Sequence, residues 1–272
     1  MYDAGVAQEN EREQHQRVRE RFTRTAEVFA NFALSERHAH ADRLVEMAAP
    51  RPGDRAIDVA CGPGTFALRF APRLRTQVGF DLTPALVAQA RAAAAQAGIK
   101  NLFFTLGDAA ALPFAAGAFD VVSCGYSLHH MPDPAAAVRE FARVAKPGGR
   151  VAVADIFSPP PGRSDAHTAI ERMRDSSHTR ALGPEELPAL LEGAGLRVRE
   201  VNQKTEDRWF NNWMSVAGWN PGDEAYHATR RLMEESIEGD TAGFHPRRPA
   251  DGADDIVFTH SVMFVVAEKA AR

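Results

Sequence analysis

The sequence predicts an α/β fold: a doubly wound, mostly parallel sheet with helices on both faces. Three observations carry this. Residues 56–70 read as a short apolar strand, a glycine turn and a helix start, with Gly62 and Gly64 in the turn. Strand-like and helix-like stretches then alternate as far as residue 156, the pattern that builds a parallel sheet through helical crossovers. The fifth strand, residues 150–156, is nearly continuous in apolar residues, as a strand buried on both faces is.

Residues 1–8 read as a loose tail. Between residues 9 and 31, Val18, Phe22, Ala26 and Phe29 recur at helical spacing, one apolar stripe on a highly charged helix. Arginines at 12, 17, 19, 21 and 24 interleave with glutamates, which marks a salt-bridged, solvated face rather than a nucleic-acid contact. Leu44, Val45 and Met47 belong to a second helix, closed by Pro50, Pro52 and Gly53. The first strand runs into Asp58, and a helix follows the glycine turn over residues 66–70. A second strand, residues 76–80, ends in Asp81. The next helix has Thr83 as N-cap, Pro84 at its first position and Gly98 past its end. A third strand over 102–106 leads into Gly107-Asp108-Ala109, and a fourth over 119–124 ends in Ser123 and Cys124. Asp133 and Pro134 start a helix that carries Lys146 in its last turn and stops at residues 147–149. After the fifth strand the rhythm breaks. Residues 159–162 form a hinge-like loop, 164–180 are polar and mostly helical, and 184–195 read as a helix with an awkward Pro188 in its second turn. A sixth strand covers 196–201; Trp209, Trp213 and Val216 share a helical face; and a last strand, 256–267, is long enough to insert at a sheet edge.

The glycine turn carries the first functional inference. Glycines let the backbone bend and approach a ligand closely, and the free N–H groups of the following helix favour polar or negative groups. Asp81, at the end of the neighbouring strand, is placed to accept hydrogen bonds from ribose hydroxyls. Together they predict a nucleoside-cofactor site at the C-terminal ends of the strands. A turn that merely reverses the chain does not require both elements. The net charge of −4 gives no global attraction to phosphate backbones, and no apolar run approaches a membrane span, so neither nucleic acid nor membrane is an expected partner. Two cysteines, Cys61 and Cys124, make no disulfide framework; reduced thiols in a cytoplasmic protein are expected. His38 and His40 lack a carboxylate at ligand spacing, so no metal site is expected.

These blocks resemble the class I S-adenosylmethionine-dependent methyltransferases, and within them the branch of quinone C-methyltransferases and small-molecule O-methyltransferases of sugar and natural-product pathways. The resemblance covers residues 37–157, and the terminal strand by position. It implies a seven-stranded Rossmann-like sheet whose last strand is antiparallel, with S-adenosyl-L-methionine as cofactor and S-adenosyl-L-homocysteine as its product. It also implies cofactor contacts from Asp58, Ala60, Cys61, Gly62 and Gly64 around the glycine loop. Asp81 and Leu82 follow strand two, Gly107, Asp108 and Ala109 follow strand three, and Ser123 and Tyr126 stand at strand four. Ala60 departs from the family pattern, replacing its first loop glycine. An NAD(P)-dependent oxidoreductase shares the glycine loop and the acidic strand end. Its third glycine falls at Ala67 when counted from Gly62. A non-methylating S-adenosylmethionine-binding protein is a further alternative.

The resemblance also implies that His129, His130 and Asp155 carry base catalysis, as a His-His pair and a strand-five Asp do in the sugar O-methyltransferases. Histidine suits proton removal near neutral pH. One histidine shaping the cofactor loop, and Asp155 as a plain strand-end hydrogen-bonding residue, are the plainer readings. The expected reaction is metal-independent methyl transfer to a small acceptor, aromatic or apolar, at oxygen or carbon. The acceptor and the oligomeric state, homodimer included, stay open, as does whether His178 and Arg180 face the substrate. Residues 174–180 are expected to be a capped, solvated loop, and Trp209, Phe210, Trp213, Trp219 and Phe244 core packing rather than a pocket. The division is an N-terminal helical lid, 1–36, that closes over the cofactor; a core, 37–157; a substrate-side cap, 158–255, with the sixth strand; and the terminal strand, 256–272, which completes the core sheet.

Overall fold

A computed structural model of the chain describes residues 4–159 and 162–271. Its centre is one sheet of β1 (Arg55–Val59), β2 (Thr76–Asp81), β3 (Leu102–Leu106), β4 (Phe119–Gly125), β5 (Ala145–Ile156), β6 (Leu196–Trp209) and β7 (Val257–Lys269), in the order β3-β2-β1-β4-β5-β7-β6. The pairings among β1 to β5 are parallel, whereas β7 runs antiparallel to both β5 and β6. The expected parallel sheet with a reversed last strand is therefore present. The terminal strand does not sit at an edge: it inserts between β5 and β6, and β6 forms the edge. The chain winds from β1 outward to β3 and then returns to β4 beside β1. This leaves the topological switch point, where ligands of open α/β sheets bind, between β1 and β4.

Burial explains the composition of the central strands. Ile57, Val59, Val122, Val151 and Val153 are sealed from solvent with helices against both faces. On one face pack α6 (Pro134–Val144) and α8 (Glu186–Gly193), through Val138, Phe141 and Leu191. Each such large side chain contributes roughly 1.5–3 kcal/mol by leaving water. Asp133 caps α6 by accepting the Ala136 N–H at 3.0 Å, as its position in the sequence predicts. On the other face lie α3 (His38–Ala48) and α4 (Thr65–Phe70), which bury Leu44, Phe66 and Phe70. Gly125 closes β4 because a Cβ there lies 2.1 Å from the Phe66 ring, so no larger residue fits. The helix after β2, α5 (Pro84–Gln96), has Pro84 at its first position, but the Thr83 hydroxyl makes no capping bond.

Several expected elements differ. The N-terminal helix is already formed at Ala4, so the tail reading fails for residues 4–8, and residues 1–3 lie outside the described residues. It is not one helix over 9–31 but two, α1 (Ala4–Arg24) and α2 (Ala26–Glu36), which meet at Thr25. Lys146 is not in a helix; α6 stops at Val144, and the ammonium pairs with Asp120 on β4 at 2.7 Å. Pro188 is not awkward, because α8 starts at Glu186 and proline is tolerated in a first turn. Of the hinge-like loop 159–162, residues 160 and 161 lie outside the described residues.

The largest difference concerns β6. It runs beyond Val201 to Trp209, paired with β7 throughout, while β5 stops at Ile156 opposite Val262. Past that point β6 and β7 form a two-stranded ribbon that carries the cap. Trp209 ends this strand, half-exposed, rather than sharing a helical face with Trp213. Trp213 lies on α9 (Phe210–Val216) and packs with Phe210, Phe244 and Phe258, the cap core. Two further helices, α7 (Ser164–Arg174) and α10 (Glu224–Glu235), complete the cap.

Candidate active site

The glycine turn sits at the switch point. Gly62 and Gly64 have φ of +54° and +91°, left-handed conformations that glycine adopts without steric cost. Ala60 has φ of +54° as well, so the residue that replaces the family's glycine keeps the glycine conformation at a cost of about 1–2 kcal/mol. Asp81 ties the two loops together. One of its carboxylate oxygens accepts the Gly62 N–H at 2.7 Å and the other the Thr83 N–H at 2.8 Å. Burial raises its pKa, and these backbone N–H groups oppose that rise. Asp58 lies one layer deeper. Register places it opposite Ser123, whose hydroxyl donates to it at 2.7 Å. Burial pushes the Asp58 pKa up to about 7.

Two cavities open above these strand ends. The first has a volume of about 870 Å³, counted to its open mouth. Ala60, Cys61, Gly62, Asp81, Leu82, Gly107, Asp108, Ala109 and Tyr126 line its floor and sides, and His15, Val18, Phe22 and Phe29 of α1 and α2 roof it. Asp58, Gly64 and Ser123 are not on its wall; Asp58 and Ser123 hydrogen-bond to each other behind the loop. The Asp108 carboxylate accepts the Ala110 N–H at 2.9 Å within its own turn. Glu11, His15 and Asp108 gather ligand-capable atoms within 4.8 Å at the rim, all of them partly exposed.

The second cavity, of about 710 Å³, adjoins the first and shares Phe22, Phe29, Arg37, Tyr126 and His130 with it. His129 lines only this one. Its Nδ1–H donates to Asp155 Oδ1 at 2.5 Å, and Asp155 Oδ2 accepts the Leu128 N–H at 2.7 Å. Burial by itself raises the Asp155 pKa, but the neighbouring His129 outweighs it and leaves the carboxyl below its ordinary value. The His129 and His130 rings lie 4.2 Å apart, centre to centre. Burial pushes His130 down to about 3, so it is neutral at physiological pH. The three residues expected to carry catalysis are thus brought together.

Other wall residues were not anticipated. The segment 174–180 is not a solvated loop: Asp175, Ser177 and His178 are buried. Asp175 accepts a 2.8 Å ion-pair hydrogen bond from Arg21 of α1. His178 lies on the second cavity, and burial takes its pKa down to about 4. Arg180 turns away and pairs with Glu186 at 2.7 Å. Trp209 and Trp213 do line this cavity, while Phe210 and Phe244 are plain core. Arg37, Glu171, Arg174, Arg208, Asn212 and His260 add to the polar wall, contributed with Arg21 and Asp175 by five separate stretches of chain. Only the polarity of residues 174–180 signalled any of this in the sequence.

Residues 50–211 match the family model described as a methyltransferase domain. The chain is similar to an uncharacterized methyltransferase, YcgJ of Bacillus subtilis, at 29% identity over 218 residues, which covers 80% of this chain and 86% of that protein. It is 35% identical over 174 residues to 27-O-demethylrifamycin SV methyltransferase of Amycolatopsis mediterranei, 62% of this chain and 64% of the relative. It is 37% identical over 119 residues to 2-phytyl-1,4-naphtoquinone methyltransferase of Synechococcus elongatus, 42% of this chain and 51% of the relative. The crystal structure of YcgJ superposes with a TM-score of 0.79 at 25% identity, over 86% of this chain and all of that one. No helix among the described residues is long and apolar enough to cross a membrane. The model match and the shared sheet establish that the chain belongs to the class I S-adenosylmethionine-dependent methyltransferases.

Proposed function

We propose that this enzyme methylates a hydroxyl of a small aromatic or apolar acceptor bound in the second cavity, with His129 as the base. S-adenosyl-L-methionine occupies the first cavity in this reading. One orphaned group supports the fit: the Thr65 hydroxyl lines that cavity, sealed from solvent and without a hydrogen-bond partner among the described residues. Buried polar atoms of this kind call for a polar ligand. Asp81 would take the ribose hydroxyls, Asp108 and Ala109 the adenine, and the backbone from Ala60 to Gly62 the amino-acid end. When bound, the cofactor supplies an electrophilic methyl group on a sulfonium.

The chain's own residues do the rest. In-line transfer depends mostly on alignment, which removes roughly 7–11 kcal/mol of barrier. The two cavities meet at Tyr126 and His130, so an acceptor in one faces a donor in the other. His129 takes the hydroxyl proton on Nε2. Asp155 fixes the tautomer by accepting from Nδ1 and stabilises the imidazolium that forms. His130 donates its Nδ1–H to the Ser177 carbonyl at 3.1 Å and stays a neutral wall. The α1 and α2 roof excludes water. The buried thiols Cys61 and Cys124 suit a reducing, cytoplasmic compartment.

The observation that carries this reading is the His129–Asp155 pair opening onto a cavity contiguous with the glycine-loop site. The test is methyl transfer from methyl-labelled S-adenosylmethionine to hydroxynaphthoates, with the product's label position read by NMR. Label in a methyl ether is expected. Label on a ring carbon refutes the hydroxyl assignment.

A further inference from the structure

We propose that the acceptor is an acid and that its anionic group ion-pairs with Arg37 in the second cavity. This rests on the reading of the first cavity as the methyl-donor site and of the second as the acceptor site.

The charge balance of the wall carries the inference. Four arginines line the second cavity. Arg21 pairs with Asp175 at 2.8 Å, Arg174 with Glu171 at 3.7 Å and Arg208 with Glu206 at 2.6 Å. The Arg37 side chain, which lines both cavities, makes no ion pair or hydrogen bond with any described residue, and its Nε–H is sealed from solvent without an acceptor. It is the single residue between α2 and α3, so both helices fix its backbone. Its guanidinium lies 3.8 Å from the centre of the Tyr126 ring. That contact offsets part of the cost of burial but offers no in-plane acceptor for the N–H groups. Burial lowers the Arg37 pKa, yet a guanidinium keeps its charge near neutral pH.

An unpaired buried cation is costly and is relieved by an anion at the site. A guanidinium fork matches a carboxylate in two parallel hydrogen bonds. A sulfonium-type donor carries a carboxylate as well as a sulfonium and an ammonium, a net charge of about +1, so with donor bound the positive charge around Arg37 still exceeds the negative. The nearby carboxylates do not supply the anion: Asp175 pairs with Arg21, Glu171 with Arg174 and Asp155 with His129. The remaining wall is aromatic, with Phe22, Phe29, Phe32 and Trp213, which suits a flat apolar body behind the acidic group.

The test uses the full chain loaded with S-adenosylhomocysteine and two isosteric probes, 2-naphthoate and 2-naphthamide, titrated by calorimetry. The acid should bind at least tenfold more tightly than the amide. In Arg37→Gln the two should agree within about twofold, titrated at saturating S-adenosylhomocysteine because Arg37 lines the donor cavity as well. Arg37→Lys should restore a preference of at least threefold, which separates lost charge from lost folding. A parent protein that does not prefer the acid overturns the proposal. So does an Arg37→Gln protein that keeps the parent's preference for the acid, or one whose loss of S-adenosylhomocysteine affinity exceeds its loss of acid preference, which assigns the guanidinium to the donor. Failure of the parent to bind S-adenosylhomocysteine at all is a separate result, and it overturns the donor assignment beneath the proposal.

Discussion

Replacing Asp175 by Asn should release the N-terminal roof from the cap. The sequence alone predicts marginal docking through one apolar stripe. The structure adds buried polar contacts. Arg21 and Asp175 are 4% and 5% exposed and lie 2.8 Å apart. Gln14 donates to the Ser177 carbonyl at 2.6 Å and to the His130 carbonyl at 2.9 Å. Asn keeps the volume at 175 and an acceptor for Ser177, so the change removes charge and little else. A buried cation left without its partner costs about 3–5 kcal/mol. If that cost falls on docking, exchange protection of α1 amides drops roughly 10²–10⁴-fold. Hydrogen exchange read by mass spectrometry over residues 14–29 measures it directly, and S-adenosylhomocysteine should restore part of the protection. Arg21→Met combined with Asp175→Asn should recover most of the loss, because removing both charges leaves neither unpaired while Ser177 keeps its acceptor. The pH dependence has a fixed sign. Burial raises the Asp175 pKa, but Arg21 and its neighbours outweigh it and hold the carboxyl below its ordinary range. The contact is therefore complete above the unfolded carboxyl pKa near 4 and is lost as pH falls through the lower folded value. Unchanged exchange over 14–29 in Asp175→Asn, with a uniform loss of stability elsewhere, refutes the reasoning.

His129→Ala should lower single-turnover methyl transfer by on the order of 10²–10⁴ with nearly unchanged cofactor affinity, and an equal rate would assign catalysis to alignment alone. His130→Ala should disturb acceptor and cofactor binding together, because His130 walls both cavities; calorimetry showing neither effect contradicts its placement. Asp58 has a folded pKa near 7 against an unfolded value near 3.8. The folded state then keeps a proton that the unfolded chain releases, so stability falls as pH rises through that window, by at most about 4 kcal/mol. Urea unfolding of the parent and of Asp58→Asn at pH 4.5 and 7.5 should show the difference moving in favour of Asn at the higher pH. A difference independent of pH refutes the burial argument.

What was legible in the sequence was local. Gly62, Gly64 and Asp81 stand where strand ends and helix starts fix them, so their meeting at the switch point follows from order along the chain. The same holds for His129 and Asp155, on the ends of adjacent parallel strands. Asp58 was legible as a motif residue but not as a buried support, because that depends on its register with Ser123. The distal half of β6 was hidden because its polar residues, 202–208, carry no apolar alternation; pairing with β7 alone makes it a strand. Arg37, Asp175 and Arg208 reach one cavity from a helix junction, a cap loop and this ribbon. No spacing rule links residues that meet only through tertiary packing.

Calorimetric titration tests whether the glycine-loop cavity holds a sulfonium-type nucleoside donor. S-adenosylmethionine and S-adenosylhomocysteine should each bind with one-to-one stoichiometry, and NAD and NADP should give no heat of binding. Asp81→Ala should weaken S-adenosylhomocysteine by about 1.5–3 kcal/mol through the loss of charge-assisted hydrogen bonds. Preferential binding of a dinucleotide, or undiminished S-adenosylhomocysteine affinity in Asp81→Ala, would contradict the account.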